Sequence, residues 1–355
     1  MDGKRWLRRF LCAAAALLAL LALICYIVDP FMQYRVRDNT YYINARFACP
    51  GILKNGDYDA VVIGSSLVQN FNMQSFRDKL GVNAVKATEG GLSHIEMLEL
   101  TELINRADRA ETYYICISIN AFAEEEDHAQ RSFPSYLMND SLLDDYRYLL
   151  GYEAWMRYLP VDLALLACDA LGIALPDAVN EQRSIDKMED FSRKYPCGAQ
   201  YLIEDFPGVS HKPFDAVSSQ RSQDALNGQI HRFFDRLPLR EDKEYVFFFP
   251  PLSMLYWHSF KPSYTDAMNQ CKRTVVQRLS GYDNVTVYDF QCMPETADLD
   301  NYMDVSHYSP EINEKMIDCF ASGEYTVTAE TIGESIGRQQ ALIEAFYAEN
   351  AEWMD

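Results

Sequence analysis

Short apolar runs recur along this chain, separated by stretches with helical periodicity. Ala60-Val61-Val62-Ile63 has no polar face, the pattern of a strand covered on both sides, and Gly64 breaks it. With Asp59 it makes a first strand at 59–63, and similar runs stand at 82–87, 113–119, 244–249 and 284–289. Helical patterns fall between them at 94–107, 219–236, 262–280 and 310–321, and another closes the chain over about 328–350. This alternation predicts right-handed βαβ units and a mostly parallel five-stranded sheet, an α/β fold.

The spacing is irregular in one place. About 125 residues separate the third strand from the fourth, where a crossover needs only a dozen or more. This insert, at about 121–243, holds helical stretches near 141–172 and a polar, turn-rich part from 183 to 215. Long inserts at the ligand edge of such sheets serve as lids or partner-binding surfaces.

Ahead of the sheet, Phe10 to Val28 carries no charge and is long enough to cross a hydrocarbon core of ~30 Å as a helix. Lys4, Arg5, Arg8 and Arg9 precede it, which predicts a cytoplasmic N-terminus and an extracytoplasmic remainder at the cell membrane. A cleaved signal peptide and a buried soluble helix are the competing readings. Against the signal, no small-x-small site follows the run, and Ile24 precedes Cys25 where a lipoprotein signal has a small residue. The expected organisation is a basic tip and anchor over 1–30, a juxtamembrane connector with turns over 31–56, a domain over 57–322 that contains the insert, and a C-terminal helix over 323–355.

A chain of 355 residues with 48% hydrophobic content has ample material for a folded core. Its formal charge is −20; the first thirty residues contribute +2, leaving −22 for the rest. Such a field disfavours nucleic acid, and it suits a strongly anionic polymer poorly. Seven of the nine cysteines lie beyond the apolar run, an odd number, so at least one is unpaired within the chain, and an oxidising compartment is compatible with one or two disulfides. None has zinc-site spacing. There is no GxGxxG after a strand, no GxxxxGK[ST], no HExxH and no GxSxG, so neither a cofactor nor a metal is expected.

What remains is acyl chemistry by another route. Ser65 and Ser66 occupy the turn after the first strand, at the edge where open α/β sheets bind ligands. Near the other end of the chain, in "NYMDVSHYSPEIN", Asp304 and His307 stand three apart in a turn. The Asp304 carboxylate can then hold one imidazole nitrogen while the other faces a nucleophile, the base a serine hydroxyl needs. Two more pieces belong to the same edge: Gly90 and Gly91 in "KATEGGLSH" and Asn120 in "CISINAF". With the Ser66 amide they offer donors for a developing oxyanion. Taken singly, a serine after a strand is a cap and an Asn there satisfies backbone; the ordered set carries the catalytic reading. His94 lies close to the glycines, where it either lines the pocket or, as the more ordinary reading, is a surface or helix-capping residue. His128, His211, His231 and His258 show no partner pattern. Asn70 reads as support for the turn. Tyr256 and Trp257 read as core or lid packing, and the acidic stretch 123–128 as a solvated loop.

The set resembles the SGNH (GDSL-like) hydrolase superfamily, block by block. "IGSS" fits the first block with Ser66 as nucleophile and Ser65 where many members have Asp. Gly91, or Gly90, fits the glycine block. Asn120 fits the Asn block, with Ser118 and Ala121 departing from its usual Gly-x-Asn-Asp form. Asp304 and His307 fit the DxxH block. The resemblance implies a three-layer αβα sandwich, a catalytic Ser66, Asp304 and His307, and an oxyanion hole of Ser66, Gly91 and Asn120. The apolar N-terminal run, "GSS", "FPP" and "SHYSPEIN" together look like a narrower group, the membrane-tethered proteins of cell-envelope polymer acylation. The D-alanine transfer protein of teichoic acid synthesis and alginate O-acetylation proteins are of this kind. That likeness implies an esterase or O-acyltransferase acting on an envelope polymer, and a membrane-bound O-acyltransferase as partner. The alternative expectation is a non-catalytic accessory protein that holds such a partner or its polymer.

Overall fold

The computed structural model describes residues 3–37, 41, 43–123, 134–192, 194–205 and 214–354. His128, His211 and most of the acidic stretch 123–128 lie outside the described residues. The helices, in chain order, are α1 Gly3–Val28, α2 Ala45–Asn55, α3 Met73–Leu80, α4 His94–Ala107, α5 Tyr146–Leu149, α6 Leu159–Leu171, α7 Asp177–Glu181, α8 Ala199–Asp205, α9 Ala216–Arg236, α10 Met254–His258, α11 Pro262–Leu279, α12 Pro310–Ser322 and α13 Ile332–Met354. The strands are β1 Ala60–Gly64, β2 Ala84–Thr88, β3 Thr112–Cys116, β4 Glu244–Phe249 and β5 Val285–Asp289. The chain divides into two compact units, Met1–Gly56 with Phe133–Glu189, and Asp57–Ser132 with Asp190–Asp355.

In the first unit, α1 is long and apolar enough to cross a membrane. Only its carboxyl end is buried, with Cys25 joining Phe31, Leu137, Tyr148, Ala154 and Tyr158 in an apolar cluster. The buried Asp29 carboxylate accepts bonds from the Tyr148 hydroxyl at 2.8 Å and from the amides of Gln33 and Tyr34, both at 2.9 Å. Helix α2 was not expected in a segment that reads as turns, because Pro50 and Gly51 lie inside it. Packing overrides propensity there. A β-carbon on Gly51 would stand 2.3 Å from the Phe31 carbonyl oxygen and 2.4 Å from that of Met32, so only glycine lets the helix lie against that backbone.

The second unit holds the sheet, five parallel strands in the order β2-β1-β3-β4-β5. The chain moves outward from β1 to β2, then returns past β1 to β3. The strand order therefore reverses between β1 and β3, and the crevice at their carboxyl ends is the place where such sheets bind ligands. All five strands fall where the apolar runs predicted them. β3 is shorter than its run: its bonding to β4 ends with the Ile117 amide on the Phe248 carbonyl at 2.8 Å, and the Ala121 amide then closes a turn on the Ser118 carbonyl at 3.1 Å. Alternation along β3 and β4 sends aromatic rings to opposite faces. Tyr113 and Tyr245 meet at 4.8 Å with their rings tilted on one face, where Phe247 meets Phe234 of α9. On the other, Tyr114 and Phe248 meet Phe320 of α12, and Tyr114 also meets Phe76 of α3. Helix α3 gave no signal in the sequence: it has eight residues, and what defines it is the Asn72 cap and the burial of Met73 and Phe76.

The free edge of β5 is covered by residues 325–327, which bond it in antiparallel sense. Beneath α13 lies a buried polar cluster. Lys272 pairs with Asp289 at 2.9 Å and donates to Gln291 and Gln339 at 2.9 and 2.7 Å, while Ser335 donates to Asp289 at 2.6 Å. Burial pushes the Lys272 ammonium pKa down, against the pull of Asp289. The disulfides that the sequence allowed are absent among the described residues, which include all nine cysteines. Cys49, Cys116, Cys271, Cys292 and Cys319 are buried and serve as small core residues.

Candidate active site

The turn after β1 carries Ser66 as the first residue of a short 3-10 helix, Ser66–Val68. Its backbone is held from three directions. Thr88 donates to the Ser65 carbonyl at 3.0 Å, the buried Lys86 to the Gln69 carbonyl at 2.5 Å, and the buried Tyr308 hydroxyl to the Leu67 carbonyl. At the first helical position the Ser66 amide has no acceptor within its own helix.

The segment 302–308 lies beyond β5, yet it is drawn toward the centre of the sheet. The Tyr302 hydroxyl donates to the Pro251 carbonyl at 2.9 Å, and Ser253 donates to the Val305 carbonyl at 2.7 Å through its side chain. Within this segment Asp304 turns the chain with one oxygen and holds the imidazole with the other. Its Oδ1 accepts from the amides of Ser306 and His307, each at 2.8 Å, and its Oδ2 lies 2.6 Å from His307 Nδ1.

These constraints bring together side chains 241 residues apart: Ser66 Oγ lies 2.7 Å from His307 Nε2. A carboxylate only accepts, so His307 Nδ1 carries the proton toward Asp304, and Nε2 presents its lone pair to the Ser66 hydroxyl. Serine, imidazole and carboxylate form one directed chain, the geometry by which a base takes a hydroxyl proton.

Burial alone would raise the Asp304 pKa, but hydrogen bonding from His307, the attraction of that ring and the two backbone amides together lower it from the usual 3.8 to about 2. A carboxyl depressed in the folded state stabilises the fold above its unfolded pKa and loses that contribution as pH falls toward the folded value. Wild type is therefore expected to lose stability between about pH 4 and about pH 2, and Asp304→Asn to lose less over that interval, read as melting temperature at stepped pH. An identical acid loss in both proteins would contradict the coupling.

The other expected site residues are placed less decisively. Gly91 is exposed, at φ +71° in a turn closed by the Leu92 amide on the Glu89 carbonyl at 3.1 Å. Its neighbour Leu92 lines a small cavity with Ser65 and Ser118, so the loops after β1, β2 and β3 do converge there. Asn120 is engaged elsewhere: its Oδ1 accepts from the Tyr264 hydroxyl at 2.7 Å, and the amide stands beside Tyr256. His94, expected either to line the pocket or to stand at the surface or as a cap, is buried as the first residue of α4, packed against Phe122 at 5.3 Å, and lines the same small cavity. Asn70, expected to support its own turn, reaches the insert: its Oδ1 accepts from the Phe191 amide at 2.9 Å. That bond holds Phe191 edge-on to the His307 ring at 5.4 Å, and so a residue of the insert forms one wall of the site. Tyr256 meets Trp257 at 5.3 Å, and Trp257 lines a separate cavity of about 570 Å³ with Phe260, His258 and Tyr347.

Phe191, Tyr308, Lys86 and Thr88 were not among the expected site residues. Each acts through a contact distant in sequence, and no local motif marks it. A scan against protein-family models finds no match to this chain, and a search of curated proteins finds none.

Proposed function

We propose that this chain is a membrane-anchored serine esterase or O-acyltransferase of the SGNH type, with the sheet flanked by helices as a three-layer αβα sandwich. The observation that carries the reading is the hydrogen-bonded chain Ser66–His307–Asp304 at a switch point of a parallel sheet. In the proposed reaction Ser66 Oγ attacks an ester carbonyl and its proton passes to His307 Nε2. Asp304 keeps the ring in the tautomer that accepts it. The tetrahedral oxyanion is met by the Ser66 amide, with Gly91 and the Asn120 amide as further donors. His307 returns the proton to the leaving alkoxide, and an acyl-serine remains. The same imidazole then deprotonates water, giving hydrolysis, or a polymer hydroxyl, giving transfer.

The apolar α1 and its basic flank support a cytoplasmic N-terminus with the catalytic unit outside the membrane. There the substrate would be an acylated envelope polymer and the partner a membrane-bound O-acyltransferase. A fluorophosphonate probe tests the nucleophile. Wild type is expected to be labelled on Ser66 and Ser66→Ala to remain unlabelled. Equal labelling of both, or an unlabelled wild type with its fold intact, would refute the reading.

A further inference from the structure

The first unit contains a helix whose surroundings are unexplained by its own fold. Residues 152–171 form one helical stretch, and one face of its first turns is buried: Ala154 and Tyr158 lie in the cluster around Tyr148, and Leu159 is buried as well. Beyond Asp162 the burial ends. From Leu163 to Ala174, "LALLACDALGIA", no residue is buried, although only one is charged. Leu171 is 75% exposed and Ile173 52%, and in a turn of the same unit Leu142 and Leu143 are 78% and 91% exposed. Side chains of this kind are stabilised by leaving water, so a stable protein keeps such a patch against something apolar.

We propose that α6 lies in the lipid bilayer, as a second membrane-embedded element beside α1; the inference rests on the reading of α1 as the anchor. Three observations select lipid as the occupant. First, α5 and α6 pack against α1, so the apolar surface of α6 continues that of the anchor, where Leu17, Leu18, Leu20 and Leu23 are exposed. Second, the polar groups that hydrocarbon would penalise are satisfied. Asp162 is buried, Asp169 is held by both guanidinium nitrogens of Arg183 at 3.0 and 2.5 Å, and the helix end is closed by the Ile173 amide on the Cys168 carbonyl at 2.9 Å. Third, the residues before the apolar stretch suit a headgroup layer: Tyr146 and Tyr152 are exposed, and so is Arg157. With 13 residues α6 is too short to span, which makes it interfacial or re-entrant.

The test is photocrosslinking of the full chain in the membranes of the cells that produce it. A diazirine analogue of leucine is placed singly at Leu18 in α1, at Leu166 or Leu171 in α6, and at the exposed Tyr282 as a reference. Phospholipid adducts, seen as the mass gain of one lipid, are expected at positions 18, 166 and 171, at least about tenfold above position 282. Lipid at 18 with only water products at 166 and 171 overturns the inference and leaves the anchor standing. An adduct to a second polypeptide at 166 or 171 overturns it in favour of a protein partner. Absence of lipid at 18 removes the anchor and the inference with it.

Discussion

Replacing Ser66 with alanine is expected to lower kcat/KM on an activated acetyl ester by about 10,000- to 1,000,000-fold, at about 1.4 kcal/mol per decade. The size follows from the proposed mechanism. Without the hydroxyl no acyl-serine can form, and what survives is the binding and oxyanion stabilisation that act on a water attack. The same logic makes the site's members non-additive. His307→Ala alone should cost nearly as much as Ser66→Ala, because His307 Nε2 is the base that stands 2.7 Å from Ser66 Oγ, and the double variant should be little worse than either. Asp304→Asn should cost less. The Asp304 side chain is 54% exposed, so water can replace part of its hold on His307 Nδ1. The measurement is steady-state hydrolysis by wild type and the four variants, with near-ultraviolet circular dichroism to verify packing. Losses that multiply across Ser66 and His307 would mean that they do not act as one unit.

The second large effect concerns stability. Lys272→Ala should destabilise the second unit by about 3–5 kcal/mol, because it leaves the Asp289 carboxylate buried without its counter-charge. Lys272 is 1% exposed and Asp289 is 0% exposed, so water cannot reach in to compensate. Removing both charges together, as Lys272→Met with Asp289→Asn, should recover more than half of the loss, since the asparagine oxygen still accepts from the Gln291 amide and its NH2 can donate to the Ser335 hydroxyl. Urea unfolding of the single and double variants measures this. A Lys272→Ala protein within about 1 kcal/mol of wild type would show that the cluster relaxes rather than holds. The pair joins α11, the end of β5 and α13, so its loss should first appear as faster amide exchange in α13.

How much of this was legible in the sequence depended on how local each feature is. The strands were, because a fully covered parallel strand reads as an unbroken apolar run whatever its neighbours do. The contact of Ser66 with His307 was legible too. Each stands at the end of such a run or in a turn with its own marks, and the topology needed only to put both on one edge. Helix α2 was hidden by Pro50 and Gly51, whose meaning depends on the Phe31–Met32 backbone against them. The wall made by Phe191 could not be read, because it depends on Asn70, 121 residues earlier. Asn120 shows the opposite failure. The motif points to it, yet its carbonyl belongs to Tyr264, 144 residues on, and its amide also bonds Tyr256, which leaves at most one N–H to meet a ligand.

The central claim is that Ser66 becomes covalently acylated in turnover. Rapid acid quenching of the full chain with an activated acetyl ester, followed by peptide mapping, tests it most directly. The account predicts acetyl on the peptide containing Ser66, rising toward one per chain and absent from Ser66→Ala. Sustained ester turnover with no acyl group on that peptide at any time would contradict it.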